Sequence, residues 1–190
     1  IVCYNGNFIS QKTLDITSNR GFLYGDGLFE SIIYESNNIL YFPDHCERLR
    51  LGLKTLKITL EHTDKNIENY IKKLLKRKKL TETTARIKII AWRNPGGLYT
   101  PADNSGSILI LAQDYTRTND AINVLGVSKE VTLPKTPLGN LKTLNALPYV
   151  LASLEKQNSS FDELIILNNN NEICECTSSN IFWEKDNVYY

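Results

Sequence analysis

Residues Arg93-Asn94-Pro95-Gly96-Gly97-Leu98-Tyr99-Thr100-Pro101 set two prolines and two glycines between two apolar runs, Arg86–Trp92 and Ser107–Ala112. Proline removes a backbone donor and fixes φ, and glycine admits conformations closed to other residues. No regular element is expected to cross such a stretch, so the sequence predicts two strands joined by a loop. Loops at strand ends commonly carry ligand contacts. Arg93 is therefore a candidate for a ligand carboxylate, or for an acid on the protein's own surface.

Helical periodicity is confined to three segments. Asp44 is a suitable N-cap for a helix from His45 to about Lys57, with Leu49, Leu53 and Leu56 as its stripe and Leu51 broadening it. Asp64 to about Lys79 repeats the pattern with Ile67, Tyr70, Ile71, Leu74 and Leu75. Its basic run, Lys72 to Lys79, reads as the wet side of that helix, with cations at the end where the dipole favours them. A third helix is predicted from Ala146 to Lys156, with Pro148 tolerable in its first turn. Strands are predicted at Val2–Ile9 with a turn at Asn5-Gly6-Asn7, at Phe29–Tyr34 and Ile39–Phe42 around Ser36-Asn37-Asn38, and at Ala121–Val131. Further strands are predicted at Glu163–Leu167, Glu172–Cys176, Asn180–Trp183 and Val188–Tyr190. The fold class is α+β. The polar stretch 114–120 marks a boundary between a smaller domain, 1–115, and a second one, 121–190.

Basic and acidic residues nearly cancel, 22 against 21, for a net charge of +1. That gives no support to a nucleic-acid or anionic-membrane partner. No apolar run is long enough to span a bilayer. The four cysteines lack paired C-x-x-C spacing, so no metal site is expected, and reduced thiols in a cytoplasmic protein are. Cys174 and Cys176 would share one face of a strand as small buried thiols. The run ends at Tyr190 inside a strand-like segment, so a C-terminal part of the chain is expected to be missing.

Leu141-Lys142-Thr143-Leu144-Asn145-Ala146-Leu147-Pro148-Tyr149 places one charge among neutral and apolar residues. Such a lysine is either a snorkelling surface residue or a desolvated amine able to form a Schiff base. Further on stands Glu175-Cys176-Thr177-Ser178-Ser179-Asn180-Ile181-Phe182. Near the start stand Gly25-Asp26-Gly27-Leu28-Phe29-Glu30 and His45-Cys46-Glu47-Arg48-Leu49. In this order and spacing the motifs resemble the class IV aminotransferase family, the pyridoxal-phosphate (PLP) enzymes of fold type IV.

The resemblance implies a two-domain, D-amino-acid-aminotransferase-like fold, a homodimer and PLP as cofactor. It implies that Lys142 carries PLP and moves protons, that Glu175 holds the pyridine nitrogen and that Arg48 binds the phosphate. Ser179 and Asn180 fall in the cofactor motif. His45 is expected to be a structural hydrogen-bonding residue. Ser31, Arg93 and Tyr99 are the candidates for the small-molecule amine substrate. Leu147, where branched-chain enzymes usually carry Tyr, and Ser31, where they carry Gly, resemble 4-amino-4-deoxychorismate lyases, which would place the chain in folate biosynthesis. Leu98, where some lyases carry Arg after the Gly-Gly pair, departs from that pattern. The alternative is an amino-acid aminotransferase of D-amino-acid or branched-chain type.

Overall fold

The computed structural model describes residues 1–117 and 121–190. The chain forms two compact units, Ile1–Arg117 with Asn140–Leu144, and Thr118–Gly139 with Asn145–Tyr190. Part of the expected linker, residues 118–120, lies outside the described residues. The segment carrying Lys142, expected in the second domain, belongs to the first unit instead.

The first unit is built on a six-stranded sheet in the order β2-β1-β6-β5-β3-β4, made of β1 (Val2–Tyr4), β2 (Asn7–Ile9), β3 (Gly27–Glu35), β4 (Asn38–Ile39), β5 (Ala85–Arg93) and β6 (Gly106–Asp114). All its pairings are antiparallel. Successive side chains on a strand point to opposite faces. Leu28 and Ile32 of β3, Ile87, Ile89 and Ala91 of β5, and Ile108 and Ile110 of β6 therefore bury one face. The helices α2 (Phe42–Thr55) and α3 (Asp64–Lys78) supply the core's other side through Leu49, Leu53, Ile67, Ile71 and Leu74. Each such side chain contributes on the order of 1.5–3 kcal/mol by leaving water.

α3 begins at a reciprocal cap. Thr63 Oγ1 accepts from Asn66 N–H, and Asn66 Oδ1 accepts from Thr63 N–H. Its cations Lys72, Lys73, Lys76, Arg77 and Lys78 are exposed, as expected of a solvated face. α2 starts earlier than the expected cap at Asp44. Pro43 is pre-organised for a first turn, so the helix begins at Phe42 after Tyr41, and Asp44 sits inside the first turn. Leu51 is 54% exposed rather than part of the stripe. The strand expected over Ile39–Phe42 shrinks to Asn38–Ile39 for the same reason. Ser36 and Asn37, both at positive φ, make the tight turn between β3 and β4.

Sequence reasoning missed α1 (Arg20–Tyr24). Asn19 caps it by accepting from Phe22 N–H, and Gly25 ends it at φ 66°. Five residues are too few to show a helical period.

The second unit has a three-stranded sheet, β7 (Leu125–Leu133), β8 (Glu163–Asn168) and β9 (Ile173–Cys176), in that order. β7 and β8 are parallel, β8 and β9 antiparallel. α4 (Leu147–Gln157) packs Ala152 and Tyr149 against Val131, Leu133 and Ile166. β7 starts at Leu125 rather than at Ala121, because Asn123 and Val124 donate their N–H groups to Asp162 Oδ2 and not to a ladder. No strand forms over Asn180–Trp183. The strand expected at Val188–Tyr190 is β11 (Val188–Tyr189), paired in a short hairpin with β10 (Glu184–Lys185) that turns at Asp186 and Asn187 with positive φ. The register of β8 on β9 shifts between Ile166 and Leu167. That bulge breaks the alternation, so Cys176 is buried while Cys174 is exposed, against the expectation that both are buried. No disulfide forms among the four thiols. Among the described residues no helix is long and apolar enough to cross a membrane.

Candidate active site

In the first unit the candidate residues collect on β3. Phe29 N–H donates to Lys142 C=O at 2.9 Å, and Leu144 N–H donates to Gly27 C=O at 3.0 Å. Thr143 faces Leu28 in an antiparallel bridge. Residues 142–144 thus run as a short extra strand along β3, on the edge that β4 covers only at Tyr34 and Glu35. A Cβ at Gly27 would lie 2.5 Å from Ala91 O and 2.8 Å from Leu144 Cδ1, so a side chain there would push this segment away. Lys142 is exposed, and its Nζ stands 4.9 Å from the centre of the Phe29 ring. Lys88 Nζ stands 4.9 Å from the same centre. Among the described residues no carboxylate pairs with Lys142. Ser31 is also exposed, two residues beyond Phe29 and so on the same face of β3.

Glu30 lies on the opposite, helix-covered face, in a row with Ile89 and Ile110, and is 1% exposed. A carboxylate there must be paired. Arg48 donates Nε–H to Oε1 at 2.7 Å and Nη2–H to Oε2, and His45 Nδ1 lies 2.8 Å from Oε2. His45 thus has the structural hydrogen-bonding part expected of it. Burial pushes the Glu30 carboxyl up, but Arg48 and His45 outweigh it and hold it below the usual range. The Arg48 guanidinium is clamped along one edge, and 46% of its side chain stays exposed. Its Nη1 has no partner among the described residues and could hold an anion.

Arg93 has a different role from the expected substrate contact. It is 6% exposed. Nε donates to Asp26 Oδ2, Nη1 to Lys57 O and Asn104 Oδ1, and Nη2 to Asp26 Oδ1 and Leu56 O. All five N–H donors are used, and none remains for a ligand carboxylate. Arg20, 3% exposed, shares Asp26 and donates Nη1 to the carbonyls of Gly96, Gly97 and Leu98. Gly97 has φ 70°, and a Cβ there would collide with Thr100 O. Arg20 and Asp26 therefore shape the loop that presents Leu98 and Tyr99, Tyr99 being 90% exposed. Sequence reasoning gave these two residues no role. A charged pair six residues apart around a glycine was the available signal.

In the second unit, Glu175 on β9 is half-buried, and Oε1 accepts from Tyr149 O–H at 2.6 Å. Ser179 does not stand free for a phosphate: its hydroxyl donates to Glu163 Oε2 at 2.8 Å. Thr177, Ser178 and the Leu164 N–H donate to the same carboxylate. Asn180 is exposed. Burial raises the Glu163 carboxyl, but the donors from Thr177, Ser179, Leu164 and Ser178 bring it down to about 2. A lowered folded-state pKa stabilises the fold above the unfolded value and is lost as pH falls. Stability should therefore drop between about pH 4.5 and pH 2, by up to about 3 kcal/mol. Denaturant titrations across that range, with Glu163→Gln as the control that flattens the slope, measure it.

The chain matches the family model described as amino-transferase class IV over residues 27–190. It is 28% identical over 174 residues to an aminodeoxychorismate lyase of Vibrio harveyi, covering 88% of this chain and 62% of that protein. It is 24% identical over 193 residues to a D-alanine aminotransferase of Staphylococcus haemolyticus, covering 100% of this chain and 67% of that protein. A crystal structure of the Escherichia coli branched-chain amino acid aminotransferase superposes with a TM-score of 0.87 at 20% identity, covering 99% of this chain and 66% of that one. The last likeness is one of fold. The chain spans less than two thirds of the lyase it matches.

Proposed function

Because the chain belongs to the class IV aminotransferase family and has its fold type IV architecture, we propose that the protein is a PLP enzyme converting 4-amino-4-deoxychorismate to 4-aminobenzoate and pyruvate. The observation that carries this reading is the β3 face. The Lys142 amine stands over Phe29 with no paired carboxylate among the described residues, and the Ser31 hydroxyl lies on the same face. The residues fit the cofactor's chemistry. An unpaired amine suits an aldehyde, the open edge of Arg48 suits a phosphate, and a Glu175 oxygen without a partner suits a protonated ring nitrogen.

Bound PLP supplies an electron sink for the pair left when a bond at the substrate's amine-bearing carbon breaks. Lys142 Nζ would hold the cofactor through its aldehyde, which an unpaired amine suits. The Lys142 amine would also take the proton from the substrate's C4 and return one to the departing pyruvate enol. Glu175 would face the ring nitrogen, where a carboxylate at contact distance favours the protonated ring. Arg48 would hold the phosphate with the edge that Glu30 leaves free. Ser31 Oγ would hydrogen-bond the substrate or a migrating proton near C4. Ser179 and Asn180 would border the cofactor, Ser179 through its backbone because its hydroxyl belongs to Glu163. Tyr99 and the loop held by Arg20 would border the substrate.

The full-length protein loaded with PLP should release pyruvate and 4-aminobenzoate from 4-amino-4-deoxychorismate with no keto acid present. Elimination restores the resting enzyme in each turnover. A transaminase would stall after one half-reaction until a keto acid arrived. Exchange of amino acids with 2-oxoglutarate at catalytic rates, with no pyruvate from 4-amino-4-deoxychorismate, rejects the lyase in favour of the aminotransferase.

A further inference from the structure

We infer that Tyr149 is a positioning residue for Glu175, its hydroxyl fixing one carboxylate oxygen so that the other keeps a proton on the cofactor's ring nitrogen. This rests on the function proposed above. The first turn of α4 carries Tyr149 seven residues after Lys142, and its ring packs on Val131, Ala152 and Ile166. The ring is thereby held in place, and the hydroxyl reaches Glu175 Oε1 at 2.6 Å. Oε2 has no partner among the described residues. A carboxylate fixed at one oxygen cannot turn freely about its last bond, so its second oxygen keeps one direction.

With its free oxygen held in one direction by Tyr149, Glu175 would meet the ring nitrogen's proton at a fixed angle, and a proton kept there would strengthen the electron sink. The contact also acts on the phenol. Burial and the adjacent Glu175 carboxylate push Tyr149 well above the usual phenol range. Packing of α4 on β7 and β8 needs only the ring, which Phe would supply equally.

Tyr149→Phe keeps the ring and removes the hydroxyl. In full-length protein loaded with ring-¹⁵N-labelled PLP, the nitrogen signal of Tyr149→Phe should move toward the unprotonated position. kcat should fall by about ten- to a hundredfold, the usual worth of a hydrogen bond to a charged group, with PLP affinity and KM nearly unchanged. In the cofactor-free protein, Glu175→Gln should bring one tyrosine's ionisation down toward the ordinary phenol range. A wild type that loads PLP but whose nitrogen signal is unmoved in Tyr149→Phe overturns this inference alone. An unmoved tyrosine ionisation in Glu175→Gln does the same. A wild type that takes up no PLP overturns the proposed function and this inference with it.

Discussion

Lys142→Ala should reduce turnover by at least about four orders of magnitude, more than 5 kcal/mol of barrier, while leaving the fold almost untouched. The two effects separate because the protein uses two different parts of the residue. The backbone C=O of Lys142 holds Phe29 N–H on the edge of β3, and alanine keeps that carbonyl. The side chain is exposed and contributes only its approach to the Phe29 ring, about 0.5–1 kcal/mol at an exposed site. Borohydride reduction of the PLP-loaded wild type, followed by peptide mapping, should label Lys142, and the variant should carry no label. Lys88 approaches the same ring, so a label found there would transfer the proposed role to it. An unfolding free energy lowered by more than about 1 kcal/mol would mean that the side chain does structural work not visible in its contacts.

Asp26→Ala should destabilise the protein by about 3–5 kcal/mol, the usual cost of leaving a buried charge without its partner. Asp26 Oδ2 accepts from Arg20 Nε at 2.8 Å and Arg93 Nε at 2.9 Å, and both arginines are buried. Burial raises the Asp26 carboxyl, but Arg93 and Arg20 hold it below its ordinary value. Its contribution is therefore complete at neutral pH and is lost on acidification. Asp26→Asn keeps one acceptor oxygen and should cost less than the alanine. Urea denaturation measures both variants. Limited proteolysis should find Gly96–Tyr99 cut faster in Asp26→Ala, because Arg20 loses the anchor from which it holds that loop. A loss below about 1 kcal/mol would mean that water or another acid replaces Asp26.

Local pattern was enough for several parts of this molecule. The α3 helix follows from its 3.6-residue period, a pattern of near neighbours. β5 and β6 follow from apolar runs bounded by proline and glycine. The motifs around Lys142, Arg48 and Glu175 could be read because their residue types and spacing survive without any structure.

What was not legible depends on groups distant in the chain. Arg93 looked available to a ligand in the sequence, and its donors are consumed by Leu56, Lys57 and Asn104, which packing brings to it. Glu30 sits in a strand like an ordinary alternating polar residue, and only the arrival of α2 turns it into a buried clamp for Arg48. Ser179 has the same hydroxyl whether it meets a phosphate or Glu163, and the placement of β8 decides which. Lys142 follows a strand of the second unit, but the open edge of β3 offers unpaired backbone groups, and satisfying them draws residues 142–144 into the first. A period or a cap is a property of a few neighbouring residues. The partner of a buried charge or of a free strand edge is a property of the whole packed chain.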